Sequence, residues 1–578
     1  MKLFWGAEYW QEKRKQKSLP WVNALVFFIL FLSTLAAYYP SLSGNFVDID
    51  DLGYVPDNEY IRDLSWGGIY RIFTSVIMFD YFPLQLLSYA IDYSLWGINP
   101  FGYRLTNLLI HVGNAFLVYL FFRHLLRGRL WLALAGSLMF ALHPVNVESV
   151  AWISERKSLL SLFLLLLSFL TYIRYLDGES KRGAYAISLA IYFLSLLAKV
   201  SSVVMPLLLI LYDICWTSRP RREWIKDKVP FLILSGFFSW LVMYIHQMQR
   251  TIPDIHGGHM VYSLLTMVNL VVEYLLSLLV PVYLYFYYET LIVKSFWEYQ
   301  FFLSLSLLCL LLFLAIRWYR ENRPLFFCVL WFFIPLLPVM NLVPLDVMRA
   351  DRYLYLPSIG FSFFLILGLQ KILALSSREI RWVTVGIFCL ILGTFSFVTE
   401  KQSTIWKSSF TLWSHVLEQL PTRAKPYKRL GNVARDAGQR DLAIFYYREA
   451  LLRDPKEPSA LNDLGELYLN QGKMKEAGEL FQRALKSDPN YPDAYNNMGI
   501  IYAEMGEDTQ AIAAFEKAMK EKISYATAAN NLGVIYRKQR NIQKSIAYFQ
   551  KAIKVDPTFT PAQANLALAL KEQGKLDR

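Results

Sequence analysis

The chain has 578 residues, 55% of them hydrophobic and 18% charged, with a mean hydropathy of +0.30. Soluble domains carry about 25% charged residues, so a wholly soluble protein is excluded and much of the chain belongs in lipid. The net charge of +13 is distributed in short basic clusters between apolar runs, which is a topology signal rather than a nucleic-acid footprint.

The basic stretch QEKRKQK opens onto an apolar run beginning at Trp21. That run is long enough to span a bilayer and is not followed by a clear small-residue cleavage site, so it is expected to stay as the first helix. Further apolar runs centre on residues 103–123, 131–148, 158–173, 185–199, 201–216, 229–246, 263–288, 301–317, 325–343, 354–375 and 382–399. The basic loops RHLLRGR, IRYLDGESKRG, SRPRREWIKDK, RWYRENR and SSREIRW are retained on the cytoplasmic side, together with the N-terminus. Alternation holds until residues 229–317, where three runs separate two cytoplasmic loops. The run 263–288 carries Glu273, Pro281 and a tyrosine cluster. It is therefore expected to be re-entrant or to lie along the outer surface, which leaves about eleven crossings and an extracytoplasmic C-terminal region. The four cysteines (Cys215, Cys309, Cys328, Cys389) are scattered through apolar runs and indicate neither disulfides nor zinc.

Near residue 400 the composition turns polar. Gly431, Gly465, Gly499 and Gly533 recur every 34 residues, each followed by alanine or serine and an aromatic at matching offsets. This is the tetratricopeptide pattern. Ile523 stands where the other units have proline. The expected organisation is a membrane domain over 1–400, a degenerate leading repeat or linker over 401–425, and four full repeats plus a capping helix over 426–578. The fold class is all-α: a polytopic membrane helix bundle followed by a tetratricopeptide-repeat solenoid. The repeats suit either an extended peptide or a partner subunit.

Three acids (Asp48, Asp50, Asp51) follow the first span in NFVDIDDLGYVPDN. By the alternation they share the outer side with HPVNVESVAWISERK, bearing His143, Glu148, Glu155, Arg156 and Lys157, and with VPLDVMRADRYLYLPSIGF, bearing Asp346, Arg349, Asp351 and Arg352. Ionisable residues of both signs at one membrane face suit transfer from a lipid-linked phosphate. A carboxylate takes a proton from the attacking hydroxyl, and cations hold the departing phosphate. The loop acids could equally be plain solvated charge.

The motifs FVDIDDLGYVPDN, YFPLQLLSYAIDYSLWGINPFGYRLTNLLIH, HPVNVESVAWISERKSLLS, AKVSSVVMPLLLILYD and RYLYLPSIGF occur in order before the repeats. Together they resemble the transmembrane and tetratricopeptide repeat-containing protein O-mannosyltransferases. The resemblance implies a C-type glycosyltransferase fold (GT-C), a polyprenyl-phosphate sugar as donor on the non-cytoplasmic face, and a base aspartate in the first outer loop. That base maps onto Asp50 or Asp51, with Asp50 slightly favoured. Asn146 and Glu155 depart from the family pattern, the repeats are few, and no N-x-S/T sequon occurs. The few repeats and the missing sequon suit a prokaryotic relative in a cell inner membrane, which leaves open whether the sugar is mannose or another hexose.

His143, Glu148, Arg156 and Arg352 are the candidates for substrate or phosphate binding. The alternatives are a structural helix-end histidine, a Glu148–Arg156 pair holding the loop, and Arg352 as a headgroup anchor. Lys199 is expected to snorkel. His256 and His259 make a weak metal site. No cofactor is expected beyond the donor, and a need for a divalent cation stays open. The rival function is a non-catalytic membrane-anchored scaffold for envelope or polysaccharide assembly. A transporter is disfavoured by the lack of internal symmetry among the spans.

Overall fold

Leucine-rich runs in lipid must satisfy their backbone groups within the segment, and helices do so. The computed structural model describes residues 20–576 except 79, 179–180, 250, 254 and 522–524. The basic N-terminal cluster and Ile523 therefore lie outside the described residues. Among those described, the protein is helical with no strands. It forms two compact units that part between Leu412 and Trp413. The composition boundary at 400 falls inside the last apolar helix, Arg378–Ile405.

The first unit is that of a multi-pass membrane protein. Each of the twelve apolar runs forms a helix, but they differ in kind. Eight are long and apolar enough to cross a membrane, among them Pro20–Leu42, Pro100–Leu125, Ile153–Leu176 and Met260–Leu279. Three are shorter: Arg182–Ala198, Val200–Trp216 and Arg323–Val339. The remaining one is a pair, Leu130–Ala141 and Pro144–Ala151, bent by 52°. Pro144 has no N–H to continue the first helix, and the His143 ring accepts from Val145 N–H at 3.2 Å to start the second. The helix Pro100–Leu125 has the usual polarity of signals. Asn99 caps it by accepting from Phe101 N–H at 3.1 Å, proline stands in its first turn, and Arg123 and His124 stand in its last.

The helix Met260–Leu279 covers most of the run 263–288, expected to be re-entrant or to lie along the outer surface. Length and composition alone would let it cross. Both of its ends nevertheless rest on one connection. His256, just before its start, bonds the Leu345 carbonyl at 2.6 Å, and Ser277 near its end accepts from Arg349 at 3.2 Å. Between them, the Tyr274 hydroxyl donates to the Met348 carbonyl at 3.3 Å.

Two features fix the acidic loop against the bundle. The guanidinium of Arg104, 2% exposed, donates to the carbonyls of Ala151 (2.7 Å), Asn45 (2.5 Å) and Trp406 (2.8 Å). It thereby ties the loop to the bent pair and to the end of the last apolar helix. Asp48 N–H also donates to Ser409 Oγ at 2.8 Å.

The second unit is built of helix pairs: Ala424–Asp436 with Arg440–Arg453, Pro458–Leu469 with Met474–Ser487, Pro492–Glu504 with Asp508–Glu521, and Ala526–Lys538 with Ile542–Val555. Thr560–Leu576 closes the series. The repeating glycine lets the two helices of a pair meet. A Cβ at Gly431, Gly465, Gly499 or Gly533 would come within 2.5, 2.6, 2.7 or 2.5 Å of the ring of Tyr447, Phe481, Phe515 or Phe549, respectively. Side-chain amides also link successive first helices, with Asn497 bonding Asn462 at 3.0 Å, Asn531 bonding Asn496 at 3.0 Å and Asn565 bonding Asn530 at 2.9 Å.

Candidate functional site

The two paired aspartates have different environments. Asp51 is fully buried at the start of a short helix. Its carboxylate accepts from Val47 N–H (3.1 Å), Ser154 N–H (3.0 Å) and the Ser154 hydroxyl (2.5 Å). Burial raises its pKa, and these donors oppose the rise. Asp51 is thus a structural acceptor that pins the loop to the turn before the helix Ile153–Leu176. Asp50 is half-buried, and among the described residues no hydrogen bond or ion pair engages its carboxylate. Burial raises its pKa too, opposed chiefly by Lys157.

Arg352 is the hub of the surrounding charges. Its backbone N–H donates to Glu148 at 2.8 Å, and its guanidinium pairs with Glu148 and lies 3.5 Å from Glu155. It also lies over the ring of Trp152, 5.5 Å from the centroid. Lys199 meets the same Glu155 at 3.2 Å and donates to Ser158 Oγ at 2.7 Å. The neighbouring Asp351 accepts from Tyr288 at 2.7 Å, and burial, then the charge of Glu148, holds it well above the ordinary carboxylate range.

Lys199 and Arg352 line one cavity of about 70 Å³. Its lining also includes the hydroxyl-bearing Ser158, Ser161 and Ser202 and the apolar Leu162, Leu165, Pro335, Val339 and Leu356. Lys199 reaches the cavity because the chain is extended there (φ −161°, ψ 130°), between the helices Arg182–Ala198 and Val200–Trp216. The second of these begins at the cavity, where helix N-termini favour anions. A lining that mixes cations and hydroxyls with aliphatic side chains has the chemistry to take an amphiphile with an anionic head and an apolar tail.

Two of the candidate binding residues are committed elsewhere. Arg156 is fully buried and pairs with Asp92 at 2.6 Å. It also donates to Asn107 Oδ1 (2.7 Å), the Tyr103 carbonyl (2.8 Å) and Ser88. Every direction of its guanidinium is taken inside the helix packing, so it neither faces the cavity nor pairs with Glu148. His143 is likewise buried. One ring nitrogen caps the bent pair, the other bonds the Leu278 carbonyl at 3.0 Å, and the ring stacks edge-on against Phe395. Its place is structural. Glu148 is in the site, but as the partner of Arg352 rather than as a free ligand.

Lys199 was expected to snorkel and instead lines the cavity. The available signal was its position between two apolar runs, with Ser201 and Ser202 two and three residues further on. Asp80, in MFDYFP, gave no sequence signal at all. His256 is used by the Leu345 carbonyl. Among the described residues no group of three or more His, Cys, Asp or Glu side chains could hold a metal ion.

Comparisons with known proteins agree with this architecture at two levels. Tetratricopeptide-repeat family models match residues 428–492, 480–513 and 526–559, so the second unit is a tetratricopeptide solenoid. The curated homologues of the chain as a whole are protein O-mannosyl-transferases. Human Protein O-mannosyl-transferase TMTC1 is 28% identical over 76% of this chain and 56% of its own length. Drosophila melanogaster Protein O-mannosyl-transferase Tmtc3 is 23% identical over 81% of this chain and 59% of its own. The chain thus spans less than two thirds of the length of these relatives. Among solved structures, MamA is 25% identical over 27% of this chain and 91% of its own, at a TM-score of 0.24. The resemblance read from the five motifs therefore extends over most of the chain.

Proposed function

We propose that the protein is an integral-membrane glycosyltransferase that moves a hexose, mannose or another, from a polyprenyl-phosphate carrier to an acceptor hydroxyl. Asp50 takes the proton of the acceptor O–H as the new glycosidic bond forms at the anomeric carbon. The bond from that carbon to the phosphate oxygen breaks, and the electron pair leaves on the prenyl phosphate. Lys199 and Arg352, with Ser158, Ser161 and Ser202, receive the phosphate, and the aliphatic wall of the cavity takes the first part of the prenol. Electrostatic stabilisation of the leaving anion in a partly dry site contributes more than the same charges would in water.

The observation that carries this reading is a carboxylate, Asp50, with no hydrogen-bond or ion-pair partner among the described residues, acted on by a charge cluster whose Arg352, with Lys199, lines a cavity of mixed polar and aliphatic side chains. The names of the relatives support the same chemistry. Both ends of Met260–Leu279 rest on one connection, which supports that helix lying along the non-cytoplasmic face. Eleven crossings then follow, with the repeats extracytoplasmic, where they would recruit the acceptor protein.

The test is Asp50→Asn in protein purified with its repeats, assayed for transfer from a short-chain polyprenyl-phosphate mannose to a panel of hydroxyl-bearing peptides. Loss of at least a hundredfold in turnover, with an unchanged thermal midpoint, is the expected result. Full transfer by Asp50→Asn would remove the base and, with it, this mechanism.

A further inference from the structure

Lys157 lies outside the cavity and was not among the candidate binding residues, yet it is 9% exposed and closely held. Its ammonium is 3.5 Å from Asp80 Oδ2, 4.9 Å from the centroid of the Phe82 ring and 5.7 Å from that of Tyr54. Asp80 Oδ2 also accepts from the Tyr54 hydroxyl at 3.2 Å. Tyr54 stands one helical turn after Asp50, its N–H donating to the Asp50 carbonyl at 3.1 Å. One of the two rings at the ammonium, Tyr54, therefore belongs to the same short turn as the Asp50 carboxylate.

Among the charged groups that act most on Asp50, Lys157 and Arg352 favour its ionised form, and Glu155 and Asp80 oppose it. Arg352 is shared between Glu148 and Glu155, so much of its field is spent. Lys157 exerts the largest effect of the four. Among the described residues its ion pair is with Asp80, which is 28% exposed. A half-buried carboxylate that must accept a proton needs a cation nearby that no neighbour fully neutralises.

We propose that Lys157, held by Asp80 and by the aromatic face of Tyr54, is the positioning residue that keeps the Asp50 carboxylate ionised for proton abstraction. This deepens the function proposed above and rests on Asp50 being its base. Asp80 and, after it, Glu155 compete with Asp50 for the ammonium, and Asp80 has the larger effect of the two. The two partners of the pair therefore act on Asp50 in opposite senses. Loss of the cation makes Asp50 harder to ionise. Loss of Asp80 removes a negative charge and releases the cation toward Asp50, which makes ionisation easier. A lysine that merely filled space would produce no such opposition.

Dicyclohexylcarbodiimide, which reacts with protonated carboxyl groups, reads this without any substrate. The full-length protein in detergent is labelled across a pH series, and modification of Asp50 is followed by peptide mass spectrometry with fragments that separate it from Asp51. Lys157→Met should move the labelling midpoint up by about one pH unit, Asp80→Asn should move it down, and Lys157→Arg should hold it near the wild-type value. The acid limb of transfer from polyprenyl-phosphate mannose should follow the same order. A midpoint unmoved in Lys157→Met, or moved in the same direction by Asp80→Asn, overturns the inference. Should Lys157→Met fail to fold, Asp80→Asn against Lys157→Arg still decides it by the sign of the shift. Shifted midpoints together with full transfer by Asp50→Asn would leave the electrostatics standing and overturn the role given to Asp50.

Discussion

Replacing Asp51 with alanine should damage the fold far more than replacing Asp50, although the two are adjacent and chemically identical. The Asp51 carboxylate satisfies Val47 N–H, Ser154 N–H and the Ser154 hydroxyl from a fully buried position. A buried donor left without a partner costs about 1–3 kcal/mol. Three such donors, with some relaxation of the Ser154 hydroxyl, give a loss of about 3–5 kcal/mol. The negative charge is also lost from beside the buried Arg104, on which it acts, and this adds to the cost. Asp50→Ala breaks no hydrogen bond among the described residues and should cost within about 0.5 kcal/mol. Thermal unfolding of the detergent-solubilised protein, followed by tryptophan fluorescence, measures both. Asp51→Ala is expected to lower the midpoint by several degrees and Asp50→Ala to leave it in place. Because burial raises the Asp51 pKa in spite of its donors, the folded unit holds that proton more tightly than the unfolded chain does. The stability due to this group is therefore greatest below the unfolded value of 3.8 and falls as pH rises through the folded one. Asp51→Asn should remove that part of the pH dependence. Equal midpoints for Asp51→Ala and Asp50→Ala would refute the division of the pair into one structural and one available acid.

Three further outcomes follow from particular contacts. Lys199→Met should raise KM for the lipid donor at least tenfold, with a smaller change in kcat, as measured in initial-rate assays at varied donor. An unchanged KM would remove Lys199 from the phosphate site. Gly465→Ala puts a methyl 2.6 Å from the Phe481 ring and should destabilise the repeats by about 1–3 kcal/mol in urea unfolding of the full chain. Arg540 has a positive φ of 60° at the position where Gly438, Gly472 and Gly506 stand in the other repeats. Arg540→Gly should therefore stabilise the fourth repeat by about 0.5–1 kcal/mol, read by hydrogen exchange.

The repeats and the helical runs were legible in the chain because their signals are local and periodic. A 34-residue spacing of glycine and aromatics reports contacts made within one helix pair, and a long apolar run reports lipid whatever its neighbours are. The acidic loop was legible as a region for the same reason, since three carboxylates beside a span are unusual in themselves. What could not be read was which side chain in each cluster had a partner. Arg156 and His143 looked like site residues because charge and imidazole at a helix end are what sites use. Their partners, Asp92, Asn107 and the Leu278 carbonyl, lie 64, 49 and 135 residues away in the chain.

By itself, then, the order of residues determined a membrane helix bundle joined to a tetratricopeptide solenoid, and the loops in which opposite charges are concentrated. Only the tertiary structure showed Asp51 held by three donors and Asp50 without a partner among the described residues, turned Lys199 from a snorkelling lysine into a cavity wall, and withdrew Arg156 and His143 into the packing. The physical reason is that apolarity and helical period belong to contiguous residues. Whether a buried charge is spent or free depends on groups that only folding brings within 3 or 4 Å of it.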